Sequence, residues 1–235
     1  MELNEHRKPR PKSPRGRRAL RLGLLTTASL ATLGAIAGGA QAVSISISPV
    51  PGIGVADDTA HALANPGHQN RFEDSFTISQ FGPAFAVTAD NRATAQSAGC
   101  TAAKPCRSVA LSFEIVTMAG TNIHLNADNQ SSAQNTHCPG CQSIAGAYQF
   151  VVSTPGPFTL TAAEESRLAA VHRQLDALST STAPIATVQQ QADALAAQVN
   201  AILKAAVASA PVQPAVNGLT KLVPNVAMHR TYQQN

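Results

Sequence analysis

The sequence predicts an α+β protein, with a small antiparallel β-sheet of two disulfide-tipped hairpins followed by an antiparallel two-helix hairpin. Three observations carry this. An alternating, cysteine-bearing segment occurs twice, the apolar period changes from two to three-four beyond Pro155-Gly156-Pro157, and all four cysteines fall inside the duplicated region.

Residues 1–42 come first. Eight Lys and Arg residues lie within the first 21 positions, and the apolar run LGLLTTASLATLGAIAGG follows, ending in Ala40-Gln41-Ala42. A basic region, a short apolar stretch and an A-x-A site describe an export signal cleaved before Val43. The run is at the lower limit of what crosses a bilayer, so an uncleaved membrane anchor is the alternative. Arg17-Arg18 would suit twin-arginine export, but Gly16 and Arg21 fit that pattern poorly. The expected location is secreted or extracytoplasmic.

Without that segment the charge reverses. Of 17 Lys+Arg and 13 Asp+Glu, 9 and 11 remain, a net charge of −2. No basic cluster survives to neutralise phosphates, which excludes the main term in nucleic-acid affinity. The remaining chain has no Trp and few aromatic or charged residues, so covalent staples would help a modest core. Four cysteines in an exported chain read first as two disulfides.

Residues 43–82 read as an extended or loop segment. Ile45 and Ile47 alternate as in a short strand, which Pro49 and Pro51 stop. His61 and His68 with Asp57 and Asp58 are metal-ligating types, but on a loop they are solvated side chains rather than a site.

The duplicated domain spans residues 83–155. ADNRATAQSAGC (89–100) aligns without a gap on ADNQSSAQNTHC (127–138), pairing Asn91 with Asn129, Ala95 with Ala133, Gln96 with Gln134 and Cys100 with Cys138. After a cysteine-bounded insert of variable length, CRSVALSFEIV (106–116) matches CQSIAGAYQFV (141–151). Each unit reads as two alternating strands around a turn, hence a hairpin. Pro139 and Gly140 suit the centre of a type II turn, whose ends approach within about 7 Å, inside disulfide range. The expected bonds are Cys100–Cys106 and Cys138–Cys141. Two rivals stand beside this. Cys138-Pro-Gly-Cys141 could be a redox pair, but a strand follows it where a catalytic thiol needs a helix N-terminus. Four thiolates could hold zinc, although the C-x5-C and C-x2-C spacing is irregular.

Asn91 and Asn129 fall on the apolar-facing phase. They read as side chains satisfying backbone groups; the sharper alternative is a polar ligand row with Asn122, Asn126 and Asn135. The Asn129-Gln130-Ser131 sequon reads as chance in a Ser-rich chain.

Residues 156–210 read as a helical hairpin. Thr161 and Glu164 form a capping-box pattern. Leu168, Val171, Leu175 and Leu178 make one seam, and Ile185, Val188, Ala192, Leu195, Val199, Ile202 and Ala206 make another. Such narrow seams predict a coiled-coil-like contact between the helices. His172 falls on the polar side and reads as solvated. Residues 211–235 read as a flexible tail.

The repeat, together with LAAVHRQLDAL and VQQQADALAAQVNAIL after it, resembles a bacterial family of peptide zinc metalloprotease proteins, over roughly residues 85–205. The resemblance implies an exported region that accompanies a membrane-embedded zinc peptidase. It does not reach the catalytic motif, because none of the seven histidines is followed by Glu and no His-Glu-x-x-His exists. The expected function is therefore an exported, non-catalytic binding or scaffolding module without a cofactor. Its expected partner is a protein at the cell envelope, and self-association is compatible with the low charge. A thiol–disulfide oxidoreductase using Cys138 and Cys141, and a zinc-dependent protein, are the alternatives.

Overall fold

The computed structural model describes residues 44–47, 52–210 and 224–235. The expected export segment, 1–42, lies outside the described residues. Seven strands build two facing sheets: β1 (Ser44–Ile47), β2 (Gly52–Ala64), β3 (Asn70–Ala98), β4 (Arg107–Ala119), β5 (His124–Thr136), β6 (Gln142–Thr154) and β7 (Asn225–Gln234). The first sheet runs β1-β3-β4-β6-β7; the second holds β2, the C-terminal part of β3, and β5. All pairings are parallel except β6 with β7.

This corrects the hairpin expectation. The two alternating segments of one repeat do not pair with each other: the chain leaves one sheet, turns a corner and enters the other. Pairing joins one repeat to the next, as in a wound, solenoid-like coil. The register makes the point, since Ala89 faces Ala127, Asn91 faces Asn129, Ala95 faces Ala133 and Gln96 faces Gln134. The constant offset seen in the sequence is the parallel register itself. Residues 43–82 belong to the same coil, as β1, β2 and the first part of β3. Asp57 and Asp58 face Asp90 and Asn91, so Ala56-Asp57-Asp58 is a third, degenerate copy of the Ala-Asp-Asn motif.

Between the sheets the side chains are small. Ala60, Ala62, Ala93, Ala95 and Ala133 of the second sheet meet Ala110, Ala145 and Ala147 of the first. Small residues allow the close approach that continuous alanine columns then fill. The other face of the first sheet carries Phe76, Ile78, Leu111, Phe113, Ile144, Tyr148 and Phe150 under two helices, α1 (Ala162–Asp176) and α2 (Ile185–Ser209). The central strands β4 and β6 are buried on both faces, so nearly every residue of β4 is shielded, the polar Ser112 and Glu114 included.

The helices correct a second expectation. Leu168, Val171 and Leu175 of α1, and Val188, Leu195, Val199 and Ile202 of α2, share one core with the sheet. The narrow seams are sheet-facing stripes, and a coiled coil is not formed. Thr161 does close the capping box, accepting from the Glu164 N–H while the Glu164 carboxylate accepts from the Thr161 N–H. The expected tail is also corrected. Residues 225–234 form β7, antiparallel to β6, and residues 211–223 lie outside the described residues.

Candidate functional site

Three corners of the coil stack at one end of the strands. At the first, the Asn65 side chain accepts from the N–H groups of Gly67 and His68, making a turn without sulfur. The next two corners hold disulfides Cys100–Cys106 and Cys138–Cys141, with Cα separations of 5.9 and 5.5 Å. Gly140 has φ +76° and the Cys141 N–H donates to the Cys138 carbonyl, as a type II turn requires. Stacking the corners brings all four sulfur atoms within 4.8 Å of one another in a buried cluster. The Cys106 N–H also points at the Cys141 sulfur, 3.0 Å away. No helix starts at Cys138: it lies in a turn between β5 and β6, without the dipole that lowers a catalytic thiol's pKa.

Deeper in the sandwich lies a polar ladder. Asp58 and Asn91 are buried and share a column with Asn129. The Ser112 hydroxyl reaches Asp58 Oδ2 at 2.8 Å and Asn91 Oδ1 at 2.6 Å, and Ser75 also donates to Asp58. Asn91 donates to Asn129, which donates to the carbonyls of Ala147 and His229. One step along, Gln149 donates to Glu114 Oε2 and to the Ala89 and Asp128 carbonyls, while Glu114 Oε1 has no hydrogen-bond partner. Burial pushes the Asp58 carboxyl up to about 6, against the hydrogen bonds from Ser75 and Ser112. Burial, with Asp58, Asp57 and Asp90 nearby, pushes Glu114 up to about 7, against the hydrogen bond from Gln149.

The asparagines therefore satisfy one another and the backbone across strands. Asn135 joins a serine cluster, accepting from Ser143 and donating to the Cys141 carbonyl, whereas Asn122 and Asn126 are exposed elsewhere. The ligand row is not assembled. Ala95 and Ala133 point inward and Gln96 and Gln134 outward. Among the earlier metal candidates, His61 and His68 are exposed and Asp58 is buried apart from them.

His172 corrects the expectation of a solvated side chain. It is 2 % exposed, stacked on Phe76 at 5.0 Å between ring centroids. Its Nε2 lies 3.3 Å from Asp74 Oδ2 and 3.6 Å from Asp176 Oδ1. Burial and the neighbouring Asp74 raise the Asp176 carboxyl, and His172 partly offsets them. Sequence reading missed this cluster because Asp74 arrives from a strand about a hundred positions away. The i, i+4 spacing of His172 and Asp176 was the only local signal.

The outer face of the second sheet carries no helix among the described residues. Asp57, Asp90 and Asp128 stand in register across it. Val55 is 68 % exposed on the same face, with Ile53 and Leu63, and Phe85 is 60 % exposed near its end. No family model, curated protein or solved structure matches the chain.

Proposed function

We propose that the protein is an exported, non-catalytic binding module whose partner is a protein held against the uncovered face of the second sheet. The observation that carries this is the asymmetry of the two layers. One sheet has its central strands β4 and β6 covered on both sides, while the other leaves Val55, Ile53 and Leu63 exposed beside an acidic row. Exposed apolar groups flanked by polar ones mark interaction surfaces. The row Asp57, Asp90, Asp128 favours a partner segment bearing Lys or Arg and repels nucleic-acid phosphates. The resemblance of the repeat to regions accompanying a membrane zinc peptidase makes an envelope protein the natural partner.

The test is site-specific photocrosslinking in the native envelope, with the probe at Thr88 on this face and at Arg173 on the helix layer. The expected result is a discrete adduct from Thr88 alone, lost on Asp90→Lys. Equal adducts from both positions, or an adduct indifferent to Asp90→Lys, would reject the proposal.

A second reading draws on the four converging sulfurs. If reduced, Cys100, Cys106, Cys138 and Cys141 offer the tetrahedral thiolate set of a structural zinc centre. Intact-mass measurement of unreduced, exported protein with a thiol alkylator separates the two. Two disulfides and no label support stapled corners; four labelled thiols after zinc removal support the metal.

A further inference from the structure

We infer that Asp74, His172 and Asp176 form a binding site for one divalent transition-metal ion, clamping helix α1 to the first sheet. The donors come from two elements: Asp74 on the helix-facing side of β3, His172 and Asp176 one turn apart on α1. All three ligand atoms lie within 4.8 Å of one another. The side chains of Asp74 and His172 are only 7 % and 3 % exposed, yet Asp74 Oδ2 and His172 Nε2 have no hydrogen-bond partner.

The distances favour a shared ion over direct bonding. At 3.3 and 3.6 Å, Nε2 is outside the usual 2.7–3.2 Å range of a hydrogen bond to either carboxylate. Donors bound tetrahedrally at about 2.0–2.1 Å stand about 3.3 Å apart, close to the 3.3 and 3.6 Å from Nε2 to the two carboxylates. One neutral imidazole and two carboxylates balance the charge of a divalent ion, removing the cost of two carboxylates in a shielded place. Stacking on Phe76 holds the imidazole plane. Asp176, at 20 % side-chain exposure, gives the route to solvent, and a water completes the coordination. Mixed N/O donors favour zinc among the common ions.

The experiment uses full-length, disulfide-intact protein stripped with a chelator and titrated with Zn2+ by calorimetry. Cobalt absorption and thermal unfolding follow on the same sample. The expected result is one equivalent bound, a higher unfolding temperature at saturation, and a cobalt spectrum without thiolate charge-transfer bands. Asp176→Asn and His172→Gln should each weaken binding by more than the roughly 10–100-fold that losing an outer-shell partner costs. Glu165→Gln, about two turns from His172 on the same helix, should leave it unchanged. Because Asp176 is partly exposed, its variant should retain the wild-type circular dichroism. No zinc uptake, thiolate bands in the cobalt spectrum, or unchanged affinity in both variants would overturn the site, leaving a histidine set between two carboxylates.

Discussion

Glu114 shows what a single buried carboxylate does to this fold. It stands on the inward face of β4, with one oxygen held by Gln149 and the other unpartnered. Its carboxyl is raised to about 7 from 4.5, and that of Asp58 to about 6 from 3.8. A group that binds its proton more tightly when folded stabilises the protein fully below its unfolded pKa. That contribution is lost as pH rises through the folded pKa. Stability should therefore fall between about pH 4 and pH 7, opposite to the usual acid destabilisation. For Glu114 the loss is roughly 3 kcal/mol, at 1.36 kcal/mol for each pH unit between 4.5 and about 7. Glu114→Gln keeps the shape and an acceptor for Gln149 while removing the charge. Denaturant melts at pH 4 and pH 8 should show near-equal stability at the lower pH. At pH 8 the variant should be more stable by roughly 3 kcal/mol. A variant weaker than wild type at pH 8 would mean that the anion is held by groups other than Gln149. The sequence did mark this position: Glu114 aligns with Gln149 in the duplicated unit. It did not show that both faces of β4 are covered, which turns that match into a buried contact.

At the level of elements, the strands of the duplicated region, its corners and the helix starts were legible, whereas β2, the first part of β3 and β7 were read as loop or tail and the strands' partners were not legible. Period-two alternation identifies a strand without saying which sheet it joins. A segment–turn–segment unit reads equally as a hairpin or as one winding of a coil. What separates them is the absence of side-by-side pairing within a unit, and that is a three-dimensional fact. The helical seams were legible in the same limited way, since a stripe at three-four spacing fits a sheet as well as a helix. The stacked corners carry a prediction of their own. The residue before the first cysteine is Gly99 in one winding and His137 in the next, with φ of +71° and +47°. The corner thus imposes a left-handed backbone on both, and only the glycine adopts it freely. A Cβ at Gly99 would meet nothing closer than Pro66 at 3.9 Å, so the cost of Gly99→Ala is conformational, about 1 kcal/mol. His137→Gly should be neutral to stabilising by up to about 1 kcal/mol, since it relieves the same conformation. Chemical denaturation of both variants checks the pair. If Gly99→Ala is silent, the corner does not enforce that backbone.

Across the whole molecule, stability should be graded by how many sides of a strand are covered. β4 lies between β3 and β6, with the helices over one face and the second sheet under the other. β5 has one strand neighbour, β3, and an exposed outer face, and of its residues only Ala133 is buried. The free side of β5 is partly closed by β7, whose Gln233 side chain accepts from the Ala133 N–H and whose His229 carbonyl accepts from Asn129. Local opening needs only the contacts of the segment that opens, so its free energy ranges from near zero up to the global value. Amides from Val109 to Val116 should exchange with solvent only when the whole chain unfolds. Those from Asn126 to Gln130, beyond the reach of the Gln233 cap, should exchange through local fraying, orders of magnitude sooner. Native-state hydrogen exchange resolved to peptides reads both at once. Because Asp128 in β5 completes the acidic row, a partner seated on that face should slow exchange in β5 and leave β4 unchanged. Equal protection of β4 and β5 without a partner would mean that something beyond the described residues already covers that edge.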